Sequence, residues 1–187
     1  MKNIIIFILL ILFSACSKPT IQEKAQLDLP NWVINPNIKG KISAVGIAPK
    51  SRGGLQIQIP QAEADARANI AAILQTEVSR ITKNAIRSAK VSDVEEFDNI
   101  FSQATKNLVK KFPLAGSKRV NMYRDNNDGS LYIQMALDSE LVKDFFEENQ
   151  EILEEQLKNA STKQEYINKA SKAVEKLYED LDKELDD

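Results

Sequence analysis

The chain has 187 residues, with 27 acidic and 25 basic side chains, one cysteine and no histidine. This length suits one domain with a core of its own plus an appendage. Without histidine, Ser–His–Asp and Cys–His nucleophilic machinery is excluded, and the usual ligands of zinc, copper and haem are missing. We therefore predict no enzyme activity, no metal and no cofactor. A single cysteine forms no disulfide within the chain, so stability must come from packing.

Charge is distributed unevenly along the chain. From residue 138 to the C-terminus there are 16 acidic and 7 basic residues, whereas the remainder has 11 acidic and 18 basic residues. The pattern indicates a mildly basic body and an acidic tail. The lysines and arginines of the body are scattered rather than clustered, so we expect no nucleic-acid partner.

The N-terminus is typical of an export signal. Residues 4–13 are all apolar, they follow a short positive start, and they end in Ser14-Ala15-Cys16. Such a run has the length of a signal-peptide core and is too short to span a bilayer, which takes about 20 apolar residues. We predict a signal peptide over residues 1–15.

Cys16 is the predicted lipidation site. Residues 12–16 resemble the lipobox of bacterial lipoproteins, where the signal is cut before a cysteine that carries diacylglycerol and a further acyl chain such as palmitate. Ser17 follows, whereas aspartate at that place often marks retention in the inner membrane, so the resemblance points to the cell outer membrane. The alternative is an ordinary secretory signal followed by a free thiol.

The following segments divide the chain into a tether, a domain and a tail. Residues 16–29 are polar and aperiodic, as expected of a flexible tether. Residues 30–147 are predicted to form one α+β domain. Residues 148–187 are predicted to form an acidic helical tail.

The domain begins with a predicted strand over residues 42–48, rich in β-branched and small residues. Gly46 within it allows close approach of a neighbouring backbone, or marks a bulge or a packing glycine. Residues 55–59 alternate between apolar and polar side chains, which predicts a short strand or an extended entry to the next element that ends at Pro60. A helix from Gln61 then has one apolar face formed by Ala62, Ala66, Ile70, Ile73, Ile81 and Ala85.

A second helix is predicted from about Ser92, with Glu95 completing a capping box. Its apolar face is formed by Val94, Phe97, Phe101, Ala104, Leu108 and Phe112. Residues 118–124 and 130–137 then alternate as the strands of a hairpin, with Val120 and Met122 among the apolar positions. The predicted order β-α-α-β-β indicates two helices packed on one face of a small, mostly antiparallel sheet.

Residues 125–129, between the hairpin strands, are rich in Asp and Asn and end in Gly129. A calcium loop of the EF-hand type requires glycine at its sixth position and glutamate at its twelfth. Here Gly129 is fifth and Ala136 is twelfth, so the pattern favours a hairpin turn.

The C-terminal extension is predicted to form two helices, separated near Thr162, which forms a capping box with Glu165. Apolar residues recur every three or four positions along it. This narrow stripe suits a coiled-coil seam for self-association, and it equally suits packing on the surface of the domain. The stripe consists of Leu153, Leu157, Ala160, Ile167, Ala170, Val174, Leu177 and Leu181.

Several segments occur in an order that is similar to a known family. They are residues 30–33, residues 44–47, Gly53-Gly54 and residues 61–71, which contain Ala-x-Ala-x-Ala-Arg-Ala-Asn. Together they resemble the LPP-twenty outer-membrane lipoprotein family, which includes the flagellar protein FlgP. The similarity spans residues 30–137. It implies an outer-membrane lipoprotein without known enzyme chemistry, part of a flagellar basal structure in FlgP.

Three residues of these segments are candidate interaction residues. Arg67 follows Glu63 by four positions, which predicts an ion pair on one helical face, and contact of Arg67 or Asn69 with a partner subunit is the alternative. Trp32 either covers its own core or forms a platform for a ligand.

We therefore expect a lipoprotein that acts through protein contacts, as a homo-oligomer or in an envelope or flagellum-associated assembly. Its orientation, toward the periplasm or the cell surface, is left open. A periplasmic module that binds peptidoglycan or a small apolar ligand is the second hypothesis, and a hydrolase that uses paired carboxylates is the third.

Replacement of Cys16 by alanine tests the predicted anchor. Without the sulfur no acyl chain is attached, and each buried methylene contributes ~0.8 kcal/mol to membrane binding. We expect the Cys16→Ala protein to leave the outer-membrane fraction and to lose incorporation of labelled palmitate. A Cys16→Ala protein that still sediments with the outer membrane after removal of its leader would be held by a protein contact instead.

Overall fold

The computed structural model describes residues 29–88, 95–159 and 164–186, which fold as an α+β structure. These residues form six α-helices, one 3-10 turn and one three-stranded antiparallel sheet. None of the helices in these ranges is both long and apolar enough to cross a membrane. In chain order the elements are α1 (Asn31–Ile34), β1 (Lys41–Ala48), α2 (Leu55–Ser88), α3 (Glu95–Lys110), the 3-10 turn (Leu114–Gly116), β2 (Lys118–Arg124), β3 (Leu131–Asp138), α4 (Ser139–Glu148), α5 (Gln150–Asn159) and α6 (Gln164–Asp186).

The sheet has β3 at its centre, with β1 and β2 as its two edges. Both pairings are antiparallel, and Ile133 of β3 lies opposite Gly46 of β1 and Met122 of β2. The predicted hairpin of β2 and β3 is confirmed. The predicted sequence of one strand, two helices and two strands is found, but the short helix α1 precedes it.

The prediction of a short strand or an extended entry over residues 55–59 was wrong, because these residues are the first turns of α2. Gly54 turns the chain with a φ of 62° immediately before the helix, and its carbonyl accepts hydrogen bonds from Ile57 and Gln58. Pro60 is the sixth residue of the helix, and its missing N–H removes one helical hydrogen bond there. The side chain of Ile57 remains exposed, which alternation alone did not reveal.

One long helix, α2, packs directly on the sheet, against β1 and β3. Its buried face advances mostly by four residues, so Leu74 and Val78 lie in the core and the predicted core residue Ile73 is 39% exposed. Four-residue steps from Ile70 reach Leu74, which is why Ile73 falls outside the buried stripe. The buried apolar residues of α2 are Ala62, Ala66, Ile70, Leu74, Val78, Ile81, Ala85 and Ile86.

The prediction that two helices lie on the sheet is corrected for α3. This helix packs chiefly on α2 and α5 rather than on the strands. Its predicted apolar face is otherwise confirmed, with Phe101 fully buried and Phe97 and Leu108 nearly so. Ser92 and Val94 lie outside the described residues. The reason for the difference is that α3 buries its apolar face between α2 and α5, and not against the strands.

The alternation predicted for β2 does not produce buried side chains. Val120 and Met122 are 47% and 51% exposed. The register shifts between Arg119 and Asn121, so Val120 occupies a bulge, and α2 covers β1 and β3 instead of this edge. Alternation shows which side chains share a face of a strand, but it does not show whether a helix reaches that face.

The C-terminal helices belong to the same hydrophobic core as the rest of the described chain. Leu153 and Leu157 of α5 and Leu177 and Leu181 of α6 are buried in it. The Tyr178 hydroxyl donates to the Phe146 carbonyl at the end of α4, and burial raises the pKa of that hydroxyl. The described part of the predicted stripe, which includes Val174, therefore has an apolar partner within the chain. Ala160 and the side chains of Ile167 and Ala170 lie outside the described residues. Thr162 and the side chain of Glu165 lie outside the described residues.

Gly46 is the point at which α2 comes closest to the sheet. A Cβ atom there would lie 2.0 Å from the main-chain oxygen of Ala62 and 2.2 Å from the main-chain nitrogen of Ala66. Both distances are far below van der Waals contact, so the helix backbone occupies the space of a side chain. The close approach predicted at Gly46 is confirmed, and it requires alanine on the facing positions of α2.

Replacement of Gly46 by alanine is expected to lower the free energy of unfolding by at least about 1–3 kcal/mol, the usual cost of overpacking a core. The obstructing atoms belong to the backbone, so relief requires α2 to shift. Urea unfolding followed by circular dichroism, on a soluble form that begins at residue 17, measures the effect.

The matched control is Gly116→Ala, whose added methyl would lie 3.2 Å from the end of the Leu141 side chain and at an ordinary contact distance of 3.8 Å from that of Leu137. The Leu141 side chain can move, so we expect a change within about 0.5 kcal/mol. Equal unfolding midpoints for the Gly46 and Gly116 variants would contradict the tight helix–strand contact.

Candidate functional site

The motif of residues 62–69 forms a junction between α2 and the free edge of β1. The Ile47 N–H donates to Asp65 Oδ2 at 2.8 Å, and Asn69 Nδ2 donates to the Val45 carbonyl at 2.9 Å. The Asp65 carboxylate and the Asn69 amide thus make the hydrogen bonds that a further strand would make with this edge. Polar groups that close an edge in this way prevent unwanted strand pairing.

Arg67 forms the ion pair that its spacing predicts. Its guanidinium lies 3.4 Å from Glu63 Oε2, and Arg119 of β2 lies 3.5 Å from Glu63 Oε1. Glu63 therefore joins α2 to the far edge strand. Pairs at this exposure contribute little each, about 0–1 kcal/mol. Asn69 and Arg67 both have contacts within the chain, and their proposed contact with a partner subunit stays a prediction.

Trp32 lies half-buried on α1, at the beginning of the described chain. The segment that follows it covers part of the sheet face opposite α2. There the Pro36 carbonyl accepts hydrogen bonds from the Ser43 hydroxyl and from Gln134 Nε2. Asn121 Nδ2 donates to Gln134 Oε1 at 2.7 Å, which extends this polar layer to β2. The second face of the sheet is therefore built from hydrogen-bonded polar groups.

A cleft of about 600 Å³ opens on this second face, where the sheet meets the start of α4. Its apolar lining includes Ile38, Val120 and Leu141, and Leu141 is 43% exposed. Charged groups of both signs surround the opening. They are Lys41, Lys118, Arg119, Asp138, Glu140 and Asp144.

Among the charged groups of the cleft, Lys41 and Asp138 are joined by a 2.9 Å salt bridge. The hydrogen bond from Lys41 holds the pKa of Asp138 below its usual value. A second, more open groove of about 500 Å³ lies between β1 and α2 and includes Ile73, Glu77 and Ile81. Two surfaces beside the sheet thus offer apolar contact with charged groups nearby.

The segment between β2 and β3 is the hairpin turn that we predicted. Asp125 Oδ1 accepts from the Asn127 N–H and Asp128 Oδ1 from the Ser130 N–H, each at 2.7 Å. The hydrogen bond from the Ser130 N–H, and then that from the Ser130 hydroxyl, lowers the pKa of Asp128. Gly129 has a φ of 76°, as such turns require. The carboxylates are thus committed to the turn.

Gln58 makes a buried structural contact that the sequence did not reveal. Its side chain is fully buried, and Nε2 donates to the carbonyls of Pro49 and Gly129 at 3.0 and 2.9 Å. It thereby fastens the hairpin turn to the start of α2. Read as part of an alternating strand, Gln58 is a solvent-facing position; only the helical assignment turns it inward.

The described residues contain no group of three or more Asp, Glu, Cys or His side chains placed to hold a metal ion. The hydrolase hypothesis requires paired carboxylates, and one such pair, Glu147 and Glu148, is exposed at the end of α4. Cys16 lies outside the described residues, as do the side chains of Glu95 and Glu96. The described residues do present two clefts beside the sheet.

Substitution of Asn69 by aspartate is expected to destabilise the fold by about 1 kcal/mol at neutral pH, because the donor to the Val45 carbonyl is lost and a carboxylate faces that oxygen. Protonation restores a donor, so the folded protein raises the pKa of the new carboxyl. The destabilisation should therefore be small near pH 4 and should grow as pH rises through that raised pKa.

Asn69→Ala is the control, because it removes the same hydrogen bond and introduces no titrating group. Unfolding free energies of both variants at about pH 4 and pH 7 make the comparison. An Asn69→Asp deficit that does not change with pH would argue against the contact with Val45.

The comparisons with known proteins agree with the resemblance noted in the sequence. The profile of the LPP20 lipoprotein family matches residues 30–138, which is more than half of the chain and includes α1, the whole sheet, α2 and α3. No curated protein matches the chain. The chain therefore belongs to the LPP20 lipoprotein family.

Proposed function

We propose that this protein is a non-enzymatic lipoprotein of the outer membrane, held there by lipid on Cys16, which acts through protein contacts in an envelope assembly. Membership of the LPP20 family makes it a membrane-anchored lipoprotein. The lipobox-like end of the leader and Ser17 support the outer membrane as its location. A flagellum-associated structure is the instance that the resemblance to FlgP suggests.

The observation that carries the proposal is that a member of a lipoprotein family has a sheet whose second edge strand, β2, remains exposed. A lipid anchor would hold the body close to a membrane, and α2 packs on one side of the sheet, against β1 and β3. The other side presents β2 and the cleft beside it to solvent. A protein anchored in this way is positioned to recruit or stabilise neighbours.

A second candidate is a module that binds peptidoglycan or a small apolar ligand. The cleft beside α4 favours it, because pockets of 300–1,000 Å³ with apolar walls and a few charged groups are typical of ligand sites. A pull-down with purified peptidoglycan tests this candidate. Retention by peptidoglycan that Leu141→Asp abolishes would support it over the assembly role.

Lysine-directed crosslinking of intact envelopes, followed by mass spectrometry, tests the proposed function. We expect reproducible crosslinks between residues 30–187 and other envelope proteins or a second copy of the chain. The Cys16→Ala variant is the control, and its crosslinks to membrane-bound neighbours should disappear. Crosslinks confined to the chain itself in the wild-type envelope would contradict the assembly role.

Light scattering of a soluble form without residues 1–16 separates self-association from contact with other proteins. A dimer or larger assembly would support homo-oligomerisation. A strict monomer at high concentration would exclude self-association through the soluble part and leave other envelope proteins as the partners.

A further inference from the structure

The two edge strands, β1 and β2, differ in how far other parts of the chain cover them. Asp65 and Asn69 close the edge of β1, and α2 covers its inner face. Within the described residues, β2 packs mainly on β3, and no helix lies over either of its faces to a comparable extent. Val120 and Met122 remain about half exposed. Unpaired main-chain groups and apolar side chains on an uncovered edge strand can pair with another chain.

The direction of the main-chain groups follows from the ladder. The Val45 carbonyl and the Ile47 N–H point away from β3, so Gly46 between them pairs with Ile133. Main-chain groups alternate in direction along a strand, so those of Ile133 point toward β1. Met122 lies opposite Ile133 on the other side of β3, and its own N–H and C=O therefore point to the open edge.

By the same alternation, the main-chain groups of Arg124 also point to the open edge. The bulge at Val120 disturbs the start of the strand, but Asn121, Met122, Tyr123 and Arg124 keep a regular register with β3. This half of β2 can accept a further strand without rearrangement of the sheet.

The charge on β2 identifies the kind of partner. Lys118, Arg119 and Arg124 are all exposed, and β2 has no acidic residue. A second copy of β2 would place three cations against three cations, which disfavours pairing of the strand with itself. An extended segment with carboxylates would instead complement these charges, and apolar residues between them would cover Val120 and Met122.

We propose that β2 is a docking strand for an extended, acidic segment of a partner protein. The segment adds to the sheet through the main-chain groups of Met122 and Arg124, places carboxylates near Lys118 and Arg124, and directs one apolar side chain into the cleft beside Leu141. Strand addition of this kind derives its affinity from main-chain hydrogen bonds and its specificity from alternate side chains. The inference rests on the proposed function and names the chemistry of the partner.

A labelled peptide provides the direct test. The probe is a fluorescein-labelled chain of about eight residues, the usual length of a strand, with glutamate and valine in alternation. Its anisotropy is measured against the full acylated chain in a non-ionic detergent. We expect the acidic probe to bind at least about tenfold more tightly than a matched probe with lysine in place of glutamate. Equal binding of the two probes would overturn the proposal.

Met122→Pro tests the role of the main chain. Proline removes the N–H that points to the open edge and leaves the bonds between β2 and β3 intact, which is the setting where strands tolerate it. We expect about tenfold weaker binding of the acidic probe, from the loss of one hydrogen bond and obstruction of the edge. Met122→Ala, which keeps the main chain, should bind much better than Met122→Pro, and circular dichroism verifies that both variants fold.

Charge reversal tests the role of position rather than net charge. Lys118→Glu with Arg124→Glu changes the charge of β2, and Lys106→Glu with Lys110→Glu makes the same change on exposed positions of α3. Only the first pair should abolish binding of the acidic probe. An equal loss with both pairs would show non-specific attraction, and self-association caused by the first pair would show that the β2 charges serve only to prevent aggregation.

The experiments distinguish failure of the proposed docking strand from failure of the proposed assembly role. If envelope crosslinking finds neighbours while Met122→Pro and the β2 charge reversal leave those crosslinks unchanged, the docking strand is wrong and the assembly role stands. If the acidic probe binds at β2 but envelopes yield no crosslinked neighbour, the docking strand stands without the assembly role.

Discussion

The contact between Gly46 and α2 determines how the other parts of the structure are arranged. Because residue 46 has no side chain, the helix backbone at Ala62 and Ala66 approaches the strand until no room remains for a methyl group. At this distance the short side chains of Asp65 and Asn69 reach the main chain of β1. A longer separation would leave both hydrogen bonds unmade. The alanine-rich motif thus holds the helix against the strand and closes one edge of the sheet.

The position of α2 also explains the asymmetry of the molecule. The helix is centred on β1 and β3, so β2 extends beyond it, and Arg119 reaches back to Glu63 only through an exposed ion pair. The opposite side of α2 is covered by α3 and α6, whose apolar residues complete one core. Helical cover is therefore concentrated on β1 and β3, and β2 remains exposed. This arrangement suits the proposed role of the lipoprotein in contacting other proteins close to a membrane.

Features that depend on local chemistry could be predicted from the sequence. The hairpin follows from its turn residues, and the helical faces follow from spacing, apart from Ile73. Features that depend on contacts between distant segments of the chain could not be predicted from the sequence. Residues 55–59 alternate like a strand, yet the turn at Gly54 and burial of Gln58 place them in a helix. Asn69 and Arg67 were recognisable as a motif, but their contacts depend on which strand the helix meets. The same holds for β2, whose exposure is decided by the reach of α2.

Native-state hydrogen exchange, resolved by residue, tests the account most directly. Both Ile47 and Met122 lie on edge strands, and in both the N–H points away from β3. The Ile47 N–H is bonded to Asp65, whereas that of Met122 faces the open edge. We predict slow exchange at Ile47, close to that of central strand β3, and rapid exchange at Met122. Equally rapid exchange at both amides would contradict the closure of β1 by α2, and equally slow exchange would contradict an open edge at β2.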